Sequence, residues 1–69
     1  MINIMSQTKD TIIKANQIRY AFISTKHCIY ANQMVEIGCY DTKERCFEII
    51  EAIYGAIFDN IDCFAMPQK

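Results

Sequence analysis

Hydrophobic and polar positions alternate with a period of two over most of the first forty residues, and the period then lengthens. Ile2 to Gln7 reads as a strand, and Thr8-Lys9-Asp10 as a turn. A second short strand follows at Thr11-Ile12-Ile13-Lys14, and Ala15-Asn16-Gln17 interrupts the pattern. Ile18 to Thr25 is rich in β-branched and aromatic residues and predicts a clear strand. Lys26-His27 is placed as a turn, Cys28 to Ala31 as a strand, Asn32-Gln33 as a turn and Val35 to Tyr40 as the last strand before the helix. Short strands with tight links pair most simply as antiparallel hairpins.

From residue 42 to 58 the apolar positions recur every three to four residues, the period of an amphipathic helix. Asp41 suits its N-cap, with Glu44 three residues on, as in a capping box. These elements predict an α+β fold: one domain over residues 1–69, with a small antiparallel sheet of four or five strands within 1–40, packed by one helix. Residues 59–69 form a short extended tail. It alternates, carries Phe64 and Met66 and stops at Pro67, so it could add an edge strand.

The apolar pattern is wider than one layer needs. On the helix, Cys46, Ile49, Ile50, Ile53 and Ile57 form a stripe, Ala56 extends one flank, and Phe47, Tyr54 and Phe58 extend the other. The arc spans roughly 200°, against the ~100° that a helix on one sheet buries. Glu44, Glu48 and Glu51 form an acidic, solvent-facing side. The strands are also partly apolar on both faces: Ile18, Tyr20 and Phe22 point one way, Ala21 and Ile23 the other. The excess apolar surface predicts an interface with a partner or a second copy, with Phe47, Tyr54, Phe58, Phe64 and Met66 as its candidate residues. A homo-oligomer is expected, most simply a two-fold dimer, because a chain of 69 residues has little core of its own.

Composition narrows the function classes. Apolar residues make up 52% of the chain, which argues against disorder. The net charge of −1 gives no general attraction to nucleic acid, and direct binding to it is not expected. No run approaches a membrane span, and the start lacks a basic, apolar leader, so the expected location is the cytoplasm. Consecutive cysteines are separated by ten, six and sixteen residues, without the close pairs of a structural zinc site. No metal and no cofactor are therefore expected, and the four cysteines read as small hydrophobes. His27, the single histidine, has no nucleophile context and reads as a solvated turn residue. Two glycines make no phosphate-cradling loop. The expectation is a protein that is not an enzyme. An alternative chemistry is a small ligand or signalling nucleotide held by Arg19, Tyr20 and Tyr30 in a pocket between subunits.

Several segments resemble a group of short proteins of phages and prophages of Gram-positive bacteria. They are Ile4-Met5-Ser6-Gln7, Thr11-Ile12-Ile13, Ile29-Tyr30-Ala31, Gly38-Cys39-Tyr40-Asp41-Thr42-Lys43-Glu44-Arg45 and Met66-Pro67. The G-x-Y-x-T-x-E-R junction between strand and helix is the most specific of them. This chain has more cysteines than that group and a shorter turn after Ala31. The resemblance implies a phage accessory role, and with the lack of catalytic residues and the excess apolar surface it leads to the expectation of a non-enzymatic protein that binds and blocks a host factor, such as part of a defence system, in the cytoplasm of the infected cell. It transfers no site residues.

Overall fold

A computed structural model describes residues 2–69. The chain runs β1 (Ile2–Met5), β2 (Ile12–Ala15), β3 (Ile18–Ile23), β4 (Lys26–Ala31), β5 (Val35–Tyr40), α1 (Lys43–Phe58) and β6 (Cys63–Ala65). The α+β class is as expected, and so is the one helix among the described residues, packed on strands. The strands divide into two three-stranded sheets, ordered β2-β1-β6 and β3-β4-β5. The tail supplies the sixth strand, paired parallel to β1. The helix packs against β3, β4, β5 and β6. Among the described residues no helix is long and apolar enough to cross a membrane.

Side-chain polarity explains which face each strand turns inward. Ile2 and Ile4 of β1, Ala15 of β2, Ile29 and Ala31 of β4, and Ile37 and Tyr40 of β5 meet Cys46, Ile49, Ile53 and Ala56 of the helix in one buried cluster. Met66 closes that cluster from the tail and is 2% exposed. Polar side chains and main chain tie the two sheets together. The Gln7 amide N–H donates to the Ile37 carbonyl at 2.8 Å, and the Gln7 side-chain oxygen accepts from the Cys39 N–H at 2.8 Å. At the other end Asn32 accepts from the Asn16 N–H and donates to the Lys14 carbonyl.

The β3–β4 turn lies two residues earlier than the sequence pattern indicates. Ser24 and Thr25 form it, at φ of 52° and 62°, and Lys26 and His27 belong to β4. Thr is a poor residue for positive φ, which hides the turn. The register sets Ile18 against Ala31 and Tyr20 against Ile29, which pack on the core, and Phe22 against His27 at the exposed end of the hairpin. A turn at Lys26-His27 would keep the same faces but set Phe22 against Ala31 and leave Tyr20 against Gln33, without its Ile29 partner. His27 is accordingly not a solvated turn residue. It is half-buried and shares a 2.8 Å hydrogen bond with the Tyr20 hydroxyl through Nδ1.

Gly38 sits at an irregularity of the β4–β5 ladder, and a Cβ there would stand 2.9 Å from the Tyr40 ring. The glycine lets Tyr40 lie back over the strand and donate its hydroxyl to the Pro67 carbonyl at 2.6 Å. Burial pushes the Tyr40 hydroxyl up to about 12, against the partial opposition of the Arg45 cation. The sign follows from the neutral form being the one that fits. Below about pH 10, the ordinary tyrosine value, both folded and unfolded chains keep the proton and the contribution is whole. As pH rises toward 12, the unfolded chain ionises first and stability falls. Melting temperatures should therefore drop between pH 9 and 12, and Tyr40→Phe should fall less steeply over that range. Parallel slopes for the two proteins would rule out Tyr40 as the group responsible.

The helix begins one residue later than the capping-box pattern implies. Thr42, not Asp41, is the N-cap, in extended conformation, and its hydroxyl accepts from the Arg45 N–H at 3.0 Å. The third helical position is then Arg45 rather than Glu44, so no carboxylate reaches back to the cap. Arg45 instead donates to Glu48 at 3.1 Å and to the Lys69 carbonyl at 2.7 Å. Thr42→Ala should cost about 1 kcal/mol and Asp41→Ala a few tenths at most, a contrast that urea unfolding resolves. At the far end Asn60 takes φ of 59°, with Asn60 N–H to Ile57 O and Ile61 N–H to Ala56 O. This pair of bonds stops the helix and turns the chain back toward β1.

Candidate interaction face on the helix

Burial divides the helix's wide apolar arc into two faces. Cys46, Ile49, Ile53 and Ala56 face the sheets and are buried. Phe47 is 45%, Tyr54 69% and Phe58 76% exposed, so the three aromatics do not merely wrap the rim of the core. Ile57, counted with the core stripe from its spacing, is also exposed, and Ile50 is half-buried. Positions 47, 54 and 58 fall within a narrow stripe of about 40° on a helix of 100° per residue. They form a ridge along α1, set roughly 140° round from the buried centre.

Chemistry differs on the two sides of that ridge. Glu51, Glu44 and Glu48 lie on one side and are all exposed. Glu48 is engaged by Arg45 in an exposed pair at 3.1 Å, worth little in water. On the other side an open cleft of about 390 Å³ separates the helix from the β2–β3 connection. Ile2, Ile18, Ile50, Ile53, Tyr54 and Ile57 make its apolar lining, and Asn16 and Gln17 supply the amides at its edge. Toward the start of the helix Phe47 meets the Tyr20 ring edge-on at 5.3 Å. The Lys43 ammonium lies 5.5 Å from the Phe47 ring centre and 5.9 Å from that of Tyr20. The face therefore offers aromatic area, a socket, a carboxylate border and one cation.

The remaining sequence-derived interface residues fall elsewhere. Phe64 is half-buried against the core, on the pair with Ile4. Met66 packs inside the chain's own core and offers no surface, and its N–H donates to the Met5 carbonyl at 3.0 Å. The three residues of the ligand alternative are split by strand alternation. Arg19 and Tyr30 are cross-strand partners on the outer face of the sheet, with the guanidinium 5.3 Å from the ring centre. Arg19 is further occupied by the Gln33 carbonyl at 2.7 Å. Tyr20 points to the opposite face, against His27 and Phe47.

A second cluster escaped the sequence reading. Cys28, Glu36 and Cys39 bring one donor atom each to within 4.8 Å of one another. Ten intervening residues give no metal-like spacing, yet a hairpin sets Cys28 opposite Cys39. Only the register of the hairpin carries that signal. Burial, with Cys28 and Glu36 beside it, holds the Cys39 thiol far above the ordinary range.

Comparison with known protein families, characterised proteins and solved structures finds no match to this chain.

Proposed function

We propose that this protein is a non-enzymatic binding domain that docks on a partner protein through the α1 ridge and blocks it, in the manner of a phage accessory protein acting on a host defence factor. The observation that carries this reading is the exposure of Phe47, Tyr54 and Phe58 along one stripe of the helix. Monomeric proteins rarely leave large apolar patches in water, and aromatic residues dominate binding energy at interfaces. The glutamate border gives the partner's chemistry: an apolar groove rimmed by lysine and arginine, steered by charge and weakened by salt.

The test compares the wild-type chain with a Tyr54→Asp, Phe58→Asp variant as tagged baits in a Gram-positive lysate, alongside phage plating on a host carrying a defence system. A protein retained by the wild type, lost with the variant and released by salt supports the reading. Equal retention by both baits, with no change in plating, removes it.

A second copy of the chain is the other occupant this face fits. Tyr54 belongs both to the ridge and to the lining of the apolar cleft, so knob and socket share one surface. A two-fold contact needs that arrangement, since each protomer must present both parts. Light scattering separates the two occupants: a mass near 8.0 kDa leaves the face to a foreign protein, and a doubled mass gives it to a dimer.

A further inference from the structure

Cys28 and Cys39 are direct partners across the β4–β5 ladder. Opposed residues of antiparallel neighbours hold their Cα atoms about 4.5–5.5 Å apart, within the ~4.4–6.8 Å that a disulfide bridges. Ile29 and Ala31 face the core, so alternation sends Cys28 to the outer face of the sheet, where its Sγ lies 2.7 Å from that of Cys39. The Cys39 thiol also donates to Glu36 Oε2 at 3.1 Å. Cys28 is buried and Cys39 partly open to solvent, while Cys46 lies in the core and Cys63 is exposed, each with no cysteine opposite it on a strand. The chain thus holds one pair placed for a bond, and its Cys39 member is the one partly open to solvent.

We propose that Cys28 and Cys39 form a reversible dithiol–disulfide couple, closed by exchange with a low-molecular-weight disulfide of the glutathione type, that staples β4 to β5. In the first step the Cys39 thiol loses its proton to solvent and its sulfur attacks one sulfur of glutathione disulfide. The reagent's S–S bond breaks, and one glutathione leaves as a thiolate that takes up a proton. In the second step Cys28 loses its proton and its sulfur attacks the Cys39 sulfur. The mixed disulfide breaks and the second glutathione departs. Two protein thiols are oxidised and one glutathione disulfide is reduced to two thiols. Excess dithiol reverses both steps. Burial is the main brake on the Cys39 thiolate that must form first, and the Glu36 carboxylate 3.1 Å from its sulfur adds to that brake. Glu36→Gln should then close the pair several-fold faster.

The experiment uses the full chain with Cys63→Ser, which removes the exposed lone thiol, treated with glutathione disulfide and then with iodoacetamide. Trypsin cleavage after Lys26 and Lys43 leaves both cysteines in the single peptide 27–43. The expected product is that peptide two hydrogens lighter and unalkylated, restored to the doubly alkylated form by dithiothreitol. Closing so short a loop should raise the melting temperature by roughly 10 °C. Double alkylation after prolonged oxidation, or arrest as a glutathione adduct on Cys39, overturns the couple. So does a reduced protein that keeps one equivalent of Zn²⁺ through dialysis and resists the oxidant, which would make Cys28, Glu36 and Cys39 a metal site. Slower closure in Glu36→Gln would overturn the role given to the carboxylate.

Discussion

Removing residues 63–69 should unfold the domain. Those residues are short and end the sequence, where loose structure is the default, yet they are tied in at every step. Asn3, Ile4 and Met5 pair with Cys63, Phe64 and Ala65. Met66 fills the core, Pro67 accepts from the Tyr40 hydroxyl, Gln68 from the Gln7 side chain and Lys69 from Arg45. Loss of a buried Met side chain alone costs about 2–5 kcal/mol, and each lost hydrogen bond to a buried partner about 1 kcal/mol more. A chain of 69 residues has only about 3–10 kcal/mol in all. The truncated protein should show no cooperative melt by circular dichroism, and Met66→Ala should keep the fold with its urea midpoint sharply lowered. A truncated chain that melts cooperatively within a few degrees of the full one would show that β6 merely decorates the β1 edge.

The same tail shows where sequence reading stops. Alternation and the change of period at residue 42 reveal the strands and the helix, because each depends on neighbours a few positions away. The α+β class follows from them. A parallel partner for β1 is not legible in the same way: alternation in the tail suggests an edge strand, but the strand it joins lies beyond the whole helix. For that reason Met66 reads as a surface residue when it is core. The helix illustrates a different limit. Its sequence gives the width of the apolar arc, but the strands decide which part of that arc they cover. They take the side of Cys46 and Ala56, which leaves Ile57 and the aromatics outside. Cys28 and Cys39 become neighbours only through a register that two positive-φ residues, Asn32 and Gln33, help to fix.

Tyr54→Asp with Phe58→Asp should abolish the proposed association while lowering the melting temperature by only a few degrees. The two halves of that expectation rest on separate facts. Tyr54 and Phe58 make no part of the buried cluster and are mostly in contact with water. Substitutions at such positions usually move stability by less than ~0.5 kcal/mol. Aspartate near the end of a helix opposes its dipole by a few tenths of a kcal/mol, so the melting temperature should fall by no more than about 4 °C. Association is another matter. A central aromatic anchor is worth about 2–4 kcal/mol at an interface, and two of them on one ridge correspond to a loss of affinity of about a thousandfold or more. The new carboxylates add to the charge of Glu44, Glu48 and Glu51, so a partner rimmed by cations cannot recover the lost area by charge alone. Analytical ultracentrifugation and calorimetry against the captured protein measure association, and thermal unfolding measures the fold. Lost binding with an unchanged melt assigns the ridge to the interface. Retained binding with an unchanged melt would move the interface off the helix, and a collapsed melt would return Tyr54 and Phe58 to the core.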